Sequence, residues 1–276
     1  MSFSDFYWQR VDRNLGIITV EEQERLRNCT VAIAGCGGMG GLIAMLCARI
    51  GVGRIKITDN QQFDASNLNR QFAAKLSSIG VNKAASTYKE LKEIVGEDIQ
   101  IDFYTSGIDS DSVEDFVKDA DFIFDEIEFF QIRPRILLHQ AARKFDKKIL
   151  NCNVVGFGSR MFLFTPDSMT MESFLEMDLE TTLSESVVRR LLQRLVPRLS
   201  KDFSEEVIEE WIFKQNKAPI FGGTPAISSG MVVSQFVLNF LGTNNRPWIH
   251  LVPPMPAYGY LDVGTFESGI FIGPWW

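Results

Sequence analysis

The run Gly35-Cys36-Gly37-Gly38-Met39-Gly40 fits the pattern G-x-G-x-x-G, and it directly follows the apolar run TVAIA at 30–34. Asp59 stands nineteen residues beyond Gly40. Glycines permit a tight turn and let backbone approach a phosphate closely. A helix opening at that turn adds free N–H groups and a partial positive charge. A carboxylate at the end of the following strand accepts hydrogen bonds from ribose hydroxyls. The set points to nucleotide binding; its alternative is a structural turn in a Rossmann-like sheet. Next come Asn67, Asn69, Arg70 and Gln71 within SNLNRQ at 66–71, then Lys83. A dehydrogenase has no use for such a cluster beside its ribose acid. The only histidines are His139 and His250, and Cys29, Cys36, Cys47 and Cys152 form no CxxC pair. That excludes a His-rich metal site and a four-cysteine zinc site. Burial is the expected state of the four thiols.

These residues need elements to hold them. TVAIA at 30–34 reads as a strand, LIAMLCARIGVG as a buried helix closing at Gly51 and Gly53, and RIKIT at 54–58 as a second strand ending at Asp59. Strand, glycine turn, helix and strand make one βαβ unit. The rhythm continues with helices over 79–95, 110–118 and 131–145, and strands over 99–103, 121–125 and 147–155. Strands alternating with helices argue for a parallel sheet covered on both faces. After about residue 160 the rhythm changes. RMFLFTP reads as a strand, 168–216 as polar and helical, and 224–241 as a long apolar helix. Arg189, Arg190, Arg194 and Arg198 read as one basic helix, and GYLDV and GIFI as short strands. The expected fold is α/β: a Rossmann-like, mostly parallel sheet with helices on both faces, extended by antiparallel strands in the C-terminal part. Residues 1–165 are expected to form the nucleotide-binding core. Residues 166–276 elaborate the same domain and carry substrate and dimer contacts. With 28 Lys and Arg against 35 Asp and Glu, the net charge is −7, which argues against a generally basic nucleic-acid surface. MSFSDFYWQR lacks the apolar centre of a signal peptide, and no apolar run reaches the ~18 residues of a membrane helix. The expectation is a cytoplasmic protein.

Several motifs together resemble the ThiF/MoeB/HesA family, the adenylating enzymes related to the ubiquitin-activating enzymes. GCGGMGG is similar to the family's GxGGxG, SNLNRQ to its Asn-Arg stretch, and IGVNK at 79–83 to its IGxxKA. ADFIFDEIEFFQIRPR at 120–135 resembles its acidic motif, and YWQRVDRNLGIITVEEQERL its N-terminal helix and loop. The resemblance covers about 10–165 and is strongest over 31–83. It implies ATP and Mg²⁺, with adenylation of a carboxylate and release of pyrophosphate. Gly35, Gly37, Gly38 and Gly40 would hold phosphate, and Asp59 the ribose, with Asn67, Asn69 and Gln71 beside it. ATP carries about four negative charges, so cations are required. Arg70 supplies a bidentate fork and Lys83 a point charge.

The family's final metal-binding Asp falls on Glu128, which is still a hard oxygen ligand for Mg²⁺. The alternative for Asp121, Asp125, Glu126 and Glu128 is a set of solvated strand-end charges. In this family an arginine from the partner subunit reaches the neighbouring ATP. That implies a homodimer using Arg10 or Arg13, with Arg13 the better fit. Relatives that form a thioester carry a cysteine after the sheet, and many carry zinc-binding CxxC pairs; this chain has neither. Adenylation without a covalent cysteine stage is therefore expected. The acyl partner would be the C-terminus of a ubiquitin-like protein or peptide, or a side-chain acid of a peptide. The basic helix offers a place for an acidic tail, and Trp275 and Trp276 a packing surface. Two alternatives stand: an NAD-dependent oxidoreductase on the same glycine loop, and a non-catalytic partner subunit of an adenylating complex. Base dehydration in nucleic acid, known among relatives, is disfavoured by the acidic balance.

Overall fold

Thr30–Ala34 (β1) and Arg54–Thr58 (β2) bury every residue after the first, the signature of strands covered on both faces. The computed structural model describes residues 5–199, 203–243 and 246–273. Six more strands complete one sheet: Gln100–Tyr104 (β3), Phe122–Asp125 (β4), Ile149–Val155 (β5), Gly158–Phe164 (β6), Ala257–Asp262 (β7) and Glu267–Ile272 (β8). The order is β3-β2-β1-β4-β5-β6-β7-β8. The first five run parallel, and β6, β7 and β8 join antiparallel. The chain steps outward from β1 to β3, then returns to place β4 on the other side of β1. Such a reversal opens a crevice at the carboxyl ends of β1 and β4.

The helices are Phe6–Val11 (α1), Val20–Arg27 (α2), Gly40–Ile50 (α3), Lys83–Val95 (α4), Val113–Val117 (α5) and Ile132–Lys144 (α6), then Met171–Leu175 (α7), Glu185–Leu195 (α8), Glu205–Val207 (α9) and Thr224–Leu241 (α10). A wider π turn over Ile208–Lys214 continues α9. Ile43 of α3, Leu91 of α4 and Phe236 of α10 share one core cluster. Phe116 of α5, Ile136 of α6, Phe174 of α7 and Leu191 of α8 share the other. The sheet is therefore covered on both faces, and the fold is the α/β class its sequence implies.

Some boundaries differ from the sequence reading. The helix expected from residue 79 starts at Lys83, because Asn82 caps it: its Oδ1 accepts from the Ala85 N–H at 3.0 Å. Residues 110–112 form a turn around Asp109, whose Oδ1 accepts from the N–H groups of Asp111 and Ser112, so α5 is shorter than expected. The basic helix ends at Leu195, leaving Arg198 outside it with φ +57°. Although its sequence is interrupted by polar residues, α10 is long and apolar enough to cross a membrane by length and composition, the one such helix among the described residues. Here it packs in the core, with the Phe236 ring 5.1 Å from Phe122 and 5.4 Å from Phe124. Trp275 and Trp276 lie outside the described residues.

Candidate active site

The glycine loop connects β1 to α3. Gly35 has φ +99°, and a Cβ there would collide with the Glu126 carbonyl. A Cβ on Gly40 would strike the Gly35 carbonyl. These two glycines are demanded by packing. A Cβ on Gly37 would meet nothing within 4 Å, so Gly37 faces open space. That space is a cleft of about 1100 Å³ at the β1/β4 reversal. Gly35, Gly37, Gly38, Asp59, Asn67 and Asn69 line it. So do Arg70, Gln71, Lys83 and Glu128. Gly40 lies just behind, as the first residue of α3.

Asp59 is buried at the end of β2. Its Oδ2 accepts from the Cys36 N–H at 2.7 Å and its Oδ1 from the Gln61 N–H at 2.8 Å. The acid thus braces the glycine loop, and each oxygen keeps a lone pair for a ribose hydroxyl. Lys83 opens α4 beneath it. Its Nζ donates to Gln61 Oε1 at 2.8 Å, and burial pushes its pKa down. Arg70 donates to Asn69 Oδ1 at 2.8 Å and to the Ser66 carbonyl at 3.0 Å; burial lowers its pKa too. Neither cation has a carboxylate partner in an ion pair among the described residues. A buried lysine and a half-buried arginine facing the cleft, neither in an ion pair among the described residues, are poised for an anion.

The neighbours divide between holding and binding. Asn67 is part of a capping turn with Asp64, and Asn69 orients Arg70. Gln71 is buried, and its Oε1 has no partner among the described residues. Two positioning residues were not singled out from sequence. Asn82 ties α4 to the Asp59 carbonyl at 2.8 Å, and Gln61 receives Lys83. The readable signal for Asn82 was its capping residue type directly before Lys83.

The acidic motif divides, with Asp121 and Glu128 exposed and Asp125 and Glu126 turned inward. Asp125 is fully buried, with Arg135 and His139 each 3.0 Å away. Burial alone would raise its pKa, but those two partners outweigh it and the net direction is down. Asp121, exposed at the β4 start, accepts the Thr30 N–H. Glu126 points its Oε1 into buried surroundings without a partner, and burial raises its pKa well above the usual range. Glu128 reaches solvent through the cleft mouth and accepts the Phe130 N–H at 2.9 Å; desolvation by the cleft walls raises its pKa.

Arg10 is committed within its own chain. It pairs with Asp98 at 2.7 Å and donates to the Ala48 carbonyl. Of the two expected arginines, Arg10 is the one already held by intrachain partners. Arg13 is exposed in the turn after α1 and makes no ion pair among the described residues. The α8 arginines also find partners: Arg189 with Glu185, Glu205 and Glu209, and Arg190 and Arg194 with Glu176. Arg198 pairs with Glu267. The basic helix is thus internally neutralised, against the reading of a free acidic-tail receptor. All four cysteines are buried and free. Cys152 lines the cleft, but burial raises its thiol pKa well above normal. Neither histidine lines the cleft.

Curated relatives match about half of the chain. The sulfur carrier protein ThiS adenylyltransferase of Escherichia coli is 27% identical over 149 residues, 54% of this chain and 58% of that protein. A probable molybdopterin-synthase adenylyltransferase of Porphyra purpurea is 31% identical over 116 residues, 42% of this chain and 30% of its own length. The chain therefore spans well under two thirds of either. Among solved structures, E. coli MccB with ATP superposes with TM-score 0.68 at 17% identity, covering 96% of this chain and 70% of that one. The same MccB, a Microcin C7 biosynthetic enzyme, was also solved with N-formylated MccA (TM-score 0.64, 17% identity, 92% and 67% covered). At that identity the likeness shows the fold. The ThiF family model matches residues 11–251, which hold the cleft and strands β1 to β6, and the chain belongs to the ThiF family.

Proposed function

We propose that the chain binds ATP with Mg²⁺ in the cleft and transfers the adenylyl group to a carboxylate of a peptide or ubiquitin-like protein. The carboxylate oxygen attacks the α-phosphorus, the bond to the bridging oxygen breaks, and pyrophosphate leaves. The observation that carries this reading is the pair of a half-buried Arg70 and a buried Lys83 beside the glycine loop, neither in an ion pair among the described residues. Asp59 orients the ribose and Gly37 admits the phosphate. Arg70 and Lys83 hold the charge that builds as two anions approach.

The donor set fits Mg²⁺. Among the described residues no group of three His, Cys, Asp or Glu could hold a metal alone. Glu128 offers one carboxylate facing the same cleft, and Mg²⁺ characteristically takes one or two carboxylates plus phosphates and waters. When bound, the ion would neutralise phosphate charge. The buried Cys152 thiol, with its raised pKa, supports direct transfer without a thioester. An exposed Arg13, in no ion pair among the described residues, supports a homodimer whose sites are completed across the interface. Four free thiols suit a reducing, cytoplasmic setting.

The names of the relatives point the same way. Titration calorimetry with ATP, AMP and NAD, with and without Mg²⁺, tests the reading. Magnesium-dependent ATP binding, weakened in Arg70→Ala and in Glu128→Ala, is expected. Tight NAD binding instead would return the oxidoreductase to first place, and no nucleotide binding would leave the partner-subunit reading.

A further inference from the structure

The cleft has two unlike ends. Toward β2 and β3 its walls are polar and hold Asp59, Arg70 and Lys83. Beyond β4 and β5 they are mostly apolar, with Val155, Leu192, Val196, Phe203, Trp211 and Ile212, and Asn153 and Asn216 among them. At about 1100 Å³ the whole exceeds the roughly 300–1,000 Å³ usual for one small-molecule site. A nucleotide at the glycine loop leaves the far end to a second occupant. Because the two ends are continuous, that occupant is the molecule whose carboxylate meets the α-phosphate.

Its chemistry is set by the walls. The α8 arginines are spent on Glu176, Glu185, Glu205 and Glu209, so the helix turns Leu192 and Val196 to the cleft and its cations elsewhere. Lys217 is the one cation lining this end among the described residues. Glu126, at the end of β4, keeps its Oε1 buried and unpartnered, so it can accept an N–H from that occupant.

We infer that the far end is the acyl-substrate compartment, and that it takes a peptide whose carboxyl-bearing residue is large and apolar, not a diglycine or acidic tail. The inference rests on the nucleotide occupying the polar end. The test is calorimetric titration of four peptides, identical except for endings in Gly-Gly, Asp, Leu or Phe, into the protein saturated with a non-hydrolysable ATP analogue. If the analogue does not bind, the protein alone is titrated. The Leu and Phe peptides are expected to bind about tenfold or more tightly than the others. Trp211 is 43% exposed, so Trp211→Ala leaves the core intact. That variant is expected to weaken the Phe peptide about tenfold without altering nucleotide affinity. Equal or tighter binding of the Gly-Gly or Asp peptide overturns the inference. So does binding of none of the four below roughly 1 mM, or indifference to Trp211→Ala. Selective Leu and Phe binding without pyrophosphate exchange would instead overturn adenylation and leave the compartment standing.

Discussion

Arg70 and Lys83 are both cations, but their geometry gives them different sensitivities. Arg70 is held as a planar fork by Asn69 and the Ser66 carbonyl. A lysine there keeps the charge and loses the fork. Arg70→Lys should lower kcat/KM for pyrophosphate exchange roughly 10- to 100-fold, and Arg70→Ala by roughly 10²–10³, in steady-state assays. Lys83 carries its charge only below its pKa, which burial has depressed. ATP affinity should therefore fall as pH rises, beginning at a lower pH than an ordinary lysine would give. A guanidinium does not titrate in that range, so Lys83→Arg should flatten the alkaline limb of a plot of Kd against pH.

The glycine loop separates packing from binding at the scale of one element. Gly35→Ala and Gly40→Ala each drive a Cβ into backbone and should lower the thermal midpoint measurably. Gly37→Ala meets nothing, so its midpoint should stay while ATP binding weakens. At the end of β4, the Asp125 pair with Arg135 and His139 works differently. The folded-state pKa of Asp125 is depressed, so its stabilisation is full above the unfolded value and lost as pH falls through the folded one. Asp125→Ala leaves Arg135 buried without its partner. It should destabilise by about 3–5 kcal/mol in urea unfolding. The local features were readable in advance. The sequence TVAIA shows a doubly covered strand, and Gly35 to Gly40 shows a tight turn between strand and helix, because each depends on near neighbours. Features set by distant partners were not. Arg10 finds Asp98 eighty-eight residues away, and the α8 arginines are neutralised by glutamates from several segments. The apolar end of the cleft joins residues from 155 to 212, so no short motif announces it.

For the whole molecule, a shared site has an arithmetic signature. If Arg13 of one subunit serves the other, mixing Arg13→Ala with Arg70→Ala yields heterodimers with one intact site. Random pairing should then restore about a quarter of wild-type exchange activity from two inactive parents. No recovery would show that Arg13 acts within its own subunit or not at all. The long helix α10 has a further consequence. Ser229 reaches the Met39 carbonyl behind the glycine loop, Phe236 fills the core under β4, and Arg25 closes the helix end at the Leu241 carbonyl. The glycine turn near residue 35 is thus buttressed by a segment synthesised some two hundred residues later. On the ribosome the turn should gain this support only once that helix emerges. A nascent chain stalled before residue 224 should leave the glycine loop open to protease, and one extended past 241 should close it.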